Sequence, residues 1–295
     1  MFMLPLCFSL TVKLRFQSNA VVLPGPSCPK KCGDVDIEFP FGIGADCAID
    51  HDFKLDCNKT TDGHSYEAWY SDMPVLNISL LHGQVWMKNY ISYMCTNRSN
   101  GTIFLGQTYL DLSNTAFTFS ADLNKFTVVG MNTLAYMIGS TYVLGCLSLS
   151  SPYDNSTAQD GSCTGVGCCQ VELTSNMSYY RVYFNEEYNT STESITDNEE
   201  YCGYGVMMEA DAFRFRTAYL NRTAFWDDYG GRVPVVLNWA VGNETCGTAK
   251  NADSYACRSN NSVCIDSSNG PGYLCNCTEG YQGNPYLPNG CQANL

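Results

Sequence analysis

The sequence lacks most features that would mark an enzyme or a membrane-spanning protein. It has only 3 histidines in 295 residues, and none stands at zinc-ligand spacing to a pair of cysteines. Gly-x-Ser-x-Gly, His-Glu-x-x-His and glycine-rich phosphate loops are all absent. No apolar run reaches about 18 residues, so we predict no transmembrane helix.

Positive charge is also scarce. Lys and Arg number 16 against 29 Asp and Glu, which gives a formal net charge of −13. Long-range attraction to a polyanion is therefore absent, and we expect no nucleic-acid partner. An acidic polysaccharide would have to be held by local cations or by bridging calcium.

Few carboxylates are arranged as a catalytic pair would be. His51 lies between Asp50 and Asp52, a pattern that we interpret as a solvated turn. Asp227-Asp228 and Glu186-Glu187 are adjacent pairs whose side chains need not converge, whereas a glycosidase needs two carboxylates facing one bond. We predict that the chain is not an enzyme, with no catalytic residues.

Cysteine, by contrast, is abundant. There are 17, and the number becomes even if Cys7 is removed with a signal peptide. The apolar run Phe2 to Val12 and the small residues Ser18 to Ala20 favour such a peptide over residues 1–20. Sixteen cysteines would form up to eight disulfides, which are typical of an oxidising compartment.

Glycosylation sequons point to the same compartment. Eleven Asn-x-Ser/Thr triplets are spread along the chain, and each one that is used marks an exposed position. The predicted sites are Asn58, Asn77, Asn97, Asn100, Asn155, Asn176, Asn189, Asn221, Asn243, Asn260 and Asn276.

Short strand signals dominate the secondary-structure pattern. Val75 to Met87, Thr102 to Leu112 and Ala116 to Ser120 alternate or are rich in β-branched and aromatic residues, and Gly, Asn, Asp and Ser separate them. No segment has a long helical period. We predict an all-β, disulfide-rich fold with a sandwich-like or barrel-like N-terminal region in one or two subdomains. The polar stretch Ser151 to Ser162 suggests a boundary, which divides the region into 28–150 and 151–243.

The stretch from Cys28 to Cys57 is the most distinctive in the chain. It holds four cysteines around Phe39-Pro40-Phe41-Gly42-Ile43-Gly44, a turn-rich segment with two aromatic anchors. This pattern resembles the start of the galacturonan-binding domain of plant wall-associated receptor kinases. The Gly-Cys-Cys motif at Cys168 and the strand Val233 to Trp239 are similar to later parts of the same ectodomain.

The last segment, 244–292, has six cysteines in an EGF-like spacing, with Cys275-x-Cys277 followed by Gly280-Tyr281. A unit this small needs disulfides because its core is insufficient. The EGF-like resemblance implies the pairs Cys246–Cys264, Cys257–Cys275 and Cys277–Cys291. The adjacent Cys168 and Cys169 should have different partners.

The family resemblance implies that the chain binds pectin or oligogalacturonides outside the cell, as a receptor-like ectodomain without a membrane span or a kinase. It would be secreted to the cell wall, or membrane-associated if the chain is a fragment of a longer receptor. Cations can pair with uronate carboxylates and aromatic rings can lie against sugar faces. The candidate residues are Lys30, Lys31, Lys54, Lys59, Tyr66, Trp69 and Tyr70.

Two alternatives stay open at this level. The chain could be a protein- or peptide-interaction module that acts as a secreted co-receptor or decoy through its EGF-like unit. Calcium could bind near the first EGF-like cysteine through Asn243-Glu244, Asp266 and Tyr273, but Val241 occupies a position that is usually acidic in calcium-binding EGF-like units. We predict no cofactor and no resident metal, with calcium as the alternative.

Overall fold

The computed structural model describes residues 21, 23–61, 63–97, 101–149, 158–190 and 200–294. The predicted signal peptide lies outside these ranges, as do Asn100 and Asn155. The predicted all-β, disulfide-rich class is confirmed, because strands form several sheets and the helices are short. The described helical segments are the 3₁₀ helices His51–Phe53 and Thr217–Leu220, and the α-helices α1 (Glu186–Thr190), α2 (Ala224–Tyr229) and α3 (Cys246–Ala249).

The opening segment is a small ribbon of β1 (Lys31–Cys32) and β2 (Val35–Asp36). The disulfides Cys28–Cys47 and Cys32–Cys57 tie this ribbon to the segment that follows it. Both predicted aromatic anchors, Phe39 and Phe41, are buried on either side of a cis peptide bond to Pro40. The Phe41 ring lies 5.3 Å from that of Trp239, so the opening segment packs onto the main sheet.

The main sheet has seven strands in the spatial order β11-β18-β7-β6-β5-β4-β3, antiparallel except for the pair β3–β4. Its inner face is apolar because alternate residues point inward, as Val85 and Met87 do in β7. The strands are β3 (Gly42–Ile43), β4 (Lys54–Lys59), β5 (Tyr66–Tyr70), β6 (Met73–Ser79), β7 (Gln84–Tyr90), β11 (Phe117–Phe119) and β18 (Arg232–Trp239).

Two further sheets pack on the same core. One has five strands in the order β15-β12-β17-β8-β9, and the other has four in the order β10-β16-β13-β14. Val85, Phe126 and Val182, one from each of the three sheets, belong to a single buried cluster. The bounds are β8 (Ser92–Asn97), β9 (Thr102–Gly106), β10 (Tyr109–Asp111), β12 (Asn124–Val129), β13 (Thr133–Ile138), β14 (Val143–Ser148), β15 (Cys168–Glu172), β16 (Tyr179–Phe184) and β17 (Glu200–Glu209).

Strands from both sides of residue 150 share these sheets. β18 pairs with β7 and β17 pairs with β8, and the disulfide Cys95–Cys202 joins the second pair. The predicted segments 28–150 and 151–243 therefore contribute strands to the same sheets. Cys168 and Cys169 have different partners, in the bridges Cys163–Cys168 and Cys146–Cys169.

The EGF-like segment forms two hairpins. They are built from β19 (Ser262–Asp266) with β20 (Tyr273–Cys277), and β21 (Tyr281–Gly283) with β22 (Cys291–Ala293). Its bridges are Cys246–Cys264, Cys257–Cys275 and Cys277–Cys291, the pairs that the resemblance implies. With these, each of the sixteen cysteines from Cys28 to Cys291 lies in a disulfide.

This segment packs against the main sheet. The ring of buried Tyr286 lies 6.0 Å from that of Trp239, and Val241 and Tyr273 form an antiparallel bridge. The Asn284 side chain also reaches the opening segment, where its Nδ2 donates to the backbone oxygen of Phe39 at 2.7 Å.

Candidate functional site

The four candidate lysines lie at the surface, and three have a close partner. Lys31 Nζ is 3.7 Å from Asp36 Oδ1, and Lys54 Nζ is 3.1 Å from Asp56 Oδ1. Lys59 Nζ lies 6.0 Å from the centroid of the Tyr66 ring. The aspartates offset the positive charge at Lys31 and Lys54, whereas the tyrosine ring leaves the charge of Lys59 in place.

The structure does not bring the seven predicted residues to one place. Trp69 and Tyr70 are neighbours in β5, so their side chains point to opposite faces of the sheet. The Tyr70 ring is half-buried at 4.8 Å from the ring of Phe117, and burial, followed by the charges of Asp52 and Asp50, raises its pKa to about 12. Of these two residues, Trp69 lies on the outer face, opposite Pro74 of β6.

The outer face around Trp69 carries a different set of residues. The Cζ atom of Arg232 lies 5.3 Å from the Trp69 ring centroid and 4.1 Å from the Tyr90 ring centroid. Nη2 of Arg232 donates to the Tyr90 hydroxyl, and Nη1 donates to the Asp72 backbone oxygen at 3.1 Å. This arrangement follows from the register, since Arg232 and Tyr90 are directly opposite each other in β18 and β7.

Lys88 adds a second cation to this face, because it alternates with Tyr90 along β7. Its Nζ lies 3.8 Å from Glu67 Oε1 of β5. We refer to Trp69, Lys88, Tyr90 and Arg232 as the Arg232 cluster. It joins two aromatic rings and two cations on a partly exposed sheet face, which suits a flat ligand that carries negative charge.

Three members of the Arg232 cluster were missed in the sequence analysis. The alternation of Trp86, Lys88 and Tyr90 along β7 is a local signal that could have placed Lys88 and Tyr90 on one face. No local signal places Arg232 there, because it is 142 positions from Tyr90 in the sequence.

A second polar group forms at Asp50, His51 and Asp52. Asp50 Oδ1 caps the 3₁₀ helix by accepting from the Asp52 N–H at 2.9 Å, and His51 Nε2 is 3.3 Å from Asp52 Oδ1. Burial raises the pKa of Asp52 against the lowering effect of His51. In the described part of the chain this is the one grouping of three His, Cys, Asp or Glu close enough to share an ion.

Two of the candidate calcium ligands of the EGF-like segment, Asp266 and Tyr273, accept hydrogen bonds from the backbone. Asp266 Oδ1 accepts from the Cys246 N–H at 2.6 Å, and the hydroxyl of buried Tyr273 accepts from the Ala256 N–H at 2.8 Å. These bonds hold α3 and the following loop against the first hairpin.

The described sequon asparagines differ in exposure. Asn58, Asn77, Asn176, Asn221, Asn243 and Asn260 are exposed, and Asn97 and Asn276 are partly exposed. Asn189 is only 3% exposed, which disagrees with the expectation for a glycosylated residue. Its Oδ1 accepts from the Leu134 N–H at 2.8 Å, and its Nδ2 donates to the Leu134 oxygen at 3.3 Å.

Comparison with known proteins shows what this chain is similar to. The family described as "Wall-associated receptor kinase galacturonan-binding" matches residues 28–89, which include β1 to β6 and most of β7. Wall-associated receptor kinase 2 of Arabidopsis thaliana is 36% identical over 91% of this chain. The chain is homologous to the extracellular part of the wall-associated receptor kinases.

Two other relatives extend the similarity. Wall-associated receptor kinases 1 and 5 of Arabidopsis thaliana are 33% and 32% identical over 91% and 95% of this chain. The chain covers 35% to 36% of the length of these wall-associated receptor kinases. No solved structure matches. Within the described residues, no helix is both long enough and apolar enough to cross a membrane.

Proposed function

We propose that this chain is a receptor-like ectodomain that binds de-esterified pectin in the cell wall, without chemistry of its own. The observation that carries the proposal is the position of the Arg232 guanidinium against the rings of Trp69 and Tyr90. The family match over residues 28–89 supports the class of ligand, because it contains Trp69 and Lys88. The sixteen bridged cysteines support an extracellular location.

The chemistry of the Arg232 cluster fits a uronate. A guanidinium has five N–H donors, and the two described bonds of Arg232 use one from each terminal nitrogen. The remaining donors suit a carboxylate, which accepts charge-assisted hydrogen bonds. Trp69 and Tyr90 supply apolar ring surface against which a sugar ring can pack.

Binding of a uronate at the Arg232 cluster must depend on short-range interactions. The net charge of −13 gives no long-range attraction to a polyanion, so affinity depends on contact between carboxylates and a few cations. We therefore expect binding to weaken as salt rises and to survive removal of calcium. Loss of binding on chelation would favour bridging by calcium instead.

The test is Arg232→Lys, measured by calorimetry with a de-esterified oligogalacturonide and the glycosylated protein. Lysine keeps the positive charge but lacks the planar guanidinium, whose N–H donors match the geometry of a carboxylate. We therefore expect the affinity for the oligogalacturonide to fall by about tenfold or more. Arg216→Lys is the matched control, because Arg216 Cζ also lies near a tyrosine ring, 4.8 Å from that of Tyr219, but Arg216 precedes the 3₁₀ helix Thr217–Leu220 and lies outside the main sheet. Equal affinities for the two variants would remove Arg232 from the site.

A Lys30→Ala/Lys31→Ala double variant tests whether these two predicted lysines of the opening segment bind uronate carboxylates. The two lysines lie on β1 and just before it, in a ribbon that forms a separate two-stranded sheet, so separate losses would distinguish the two surfaces. If the folded glycosylated protein binds no oligogalacturonide with calcium present, the alternative of a co-receptor or decoy that binds a protein through the EGF-like segment becomes the better explanation.

Glycans bear on the same experiment. Asn58 is opposite Glu67, and Asn77 is opposite Trp86, so both sequon asparagines lie on the outer face. Glycans there would flank the Arg232 cluster and limit the directions from which a polymer can approach. Asn58→Gln and Asn77→Gln should then raise the association rate without weakening the bound state.

A further inference from the structure

A separate cleft of about 730 Å³ opens beside the Arg232 cluster, between the main sheet and the four-stranded sheet. The turn after β5 and the end of β7 form one side, and the segment from Gln107 through β10 forms the other. A cleft of this volume is large enough for one or more sugar residues.

Two exposed tyrosines stand on opposite sides of the cleft. Tyr90 is 36% exposed on the main sheet, and Tyr109 is 66% exposed on β10 of the four-stranded sheet. Burial of such exposed aromatic surface by a ligand would be favourable. Rings with a hydroxyl at one edge suit a ligand that is apolar on its faces and polar at its rim.

The polar groups of the cleft select against negative charge. Asp72 and Asp111, both exposed, contribute carboxylates, and Gln107 and Thr108 contribute neutral donors and acceptors. Carboxylates accept hydrogen bonds from sugar hydroxyls but repel a uronate. Arg232 lies at the edge of the cleft, where its guanidinium donates to the Tyr90 hydroxyl and the Asp72 backbone oxygen. None of the described residues that line the cleft is a cation.

We propose that this cleft is a second saccharide site, which takes an uncharged sugar residue. Its chemistry excludes a free uronate and accepts the methyl ester of one. The identity of the polymer rests on the proposed function, whereas the preference for a neutral residue rests on the cleft alone. Because Tyr90 belongs to both sites, one partly esterified chain could place a charged residue at Arg232 and a neutral one beside Tyr109.

The test compares a fully methyl-esterified oligogalacturonide with the de-esterified form, using the whole glycosylated chain and calorimetry. Tyr109→Ala should weaken binding of the esterified oligomer by about tenfold and leave the de-esterified oligomer unchanged. Tyr109→Phe keeps the ring and should retain most of the affinity. Tyr281→Ala is the control, because Tyr281 is also exposed, at 37%, but lies in the EGF-like segment.

The outcomes separate the two proposals. If the wild-type chain does not bind the esterified oligomer, or if Tyr109→Ala binds it normally, the cleft proposal is overturned and the Arg232 cluster is unaffected. If only the esterified oligomer binds and the loss follows Tyr109, the cleft proposal stands while the proposed binding of de-esterified pectin fails. A fall in melting temperature for Tyr109→Ala but not Tyr109→Phe, with equal affinities, also counts against the cleft.

Discussion

The side-chain amide of Asn284 donates a 2.7 Å hydrogen bond to the backbone oxygen of Phe39, 245 positions earlier in the chain. Its own Oδ1 accepts from the Tyr286 N–H at 3.0 Å, and the whole side chain is buried. One residue of the EGF-like segment thus satisfies a carbonyl of the opening segment and fixes its own loop. This bond joins the opening segment to the EGF-like segment, and none of the described disulfides links the two.

Asn284→Asp should loosen this contact selectively. The carboxylate can still accept from Tyr286 but cannot donate to Phe39, so a buried acceptor is left unpaired. We expect the free energy of unfolding to fall by about 1–3 kcal/mol, measured by chemical denaturation. Asn294→Asp, at an exposed position in the same segment, is the control.

The same variant predicts a pH dependence. Burial against a carbonyl raises the pKa of the new carboxyl, and its protonated form can donate again. The deficit relative to the wild type should therefore be largest at neutral pH. It should shrink as pH falls through the raised pKa towards about 4, and should not change further below that. A deficit that does not change with pH would contradict the assignment of that bond.

Ser71→Gly should stabilise the protein. Ser71 has a φ of 54° in the two-residue turn between Tyr70 of β5 and Met73 of β6, a conformation that glycine adopts without steric cost. Relief of strain exceeds the added entropy of the unfolded chain, so we expect a gain of about 0.5–1 kcal/mol. Ser175→Gly, where φ is not positive, should give no gain in the same denaturation assay. A loss at Ser71 would mean that its side chain contributes more than its backbone costs.

Tyr70→Phe should change the alkaline limb of the stability curve. With a pKa of about 12 in the folded chain and about 10 when unfolded, Tyr70 contributes stability that is complete below pH 10 and is lost as pH rises towards 12. The variant lacks this titration, so its free energy of unfolding should decline less steeply over that interval. A tyrosinate absorbance titration should also lose one late-titrating group. Parallel curves for the two proteins would disprove the shift.

Local patterns predicted the parts of the fold that depend on nearby residues. The burial of Phe39 and Phe41 follows from a short run of sequence, and the EGF-like spacing implies the same three bridges that are present. The pairing of β18 with β7 could not be predicted in this way, because register between distant strands depends on the whole core.

The candidate site was only partly predicted for the same reason. Trp69 was chosen for its residue type, and it does lie on the outer face, but its cation comes from a strand far along the chain. Tyr70 was chosen beside it, although the period of two in a strand sends it to the other face. Proximity in sequence therefore grouped residues that the sheet separates.

The buried Asn189 sets two processes in competition for one nitrogen. Its Nδ2, which donates to the Leu134 oxygen, is also the atom to which a glycan would be attached in the triplet Asn-Thr-Ser. A sugar there cannot coexist with a side chain that is 3% exposed, so a chain modified at Asn189 cannot dock α1 onto β13 as the structure has it. The glycan occupancy at Asn189 therefore reports, for each molecule, whether glycan transfer or folding of this region came first.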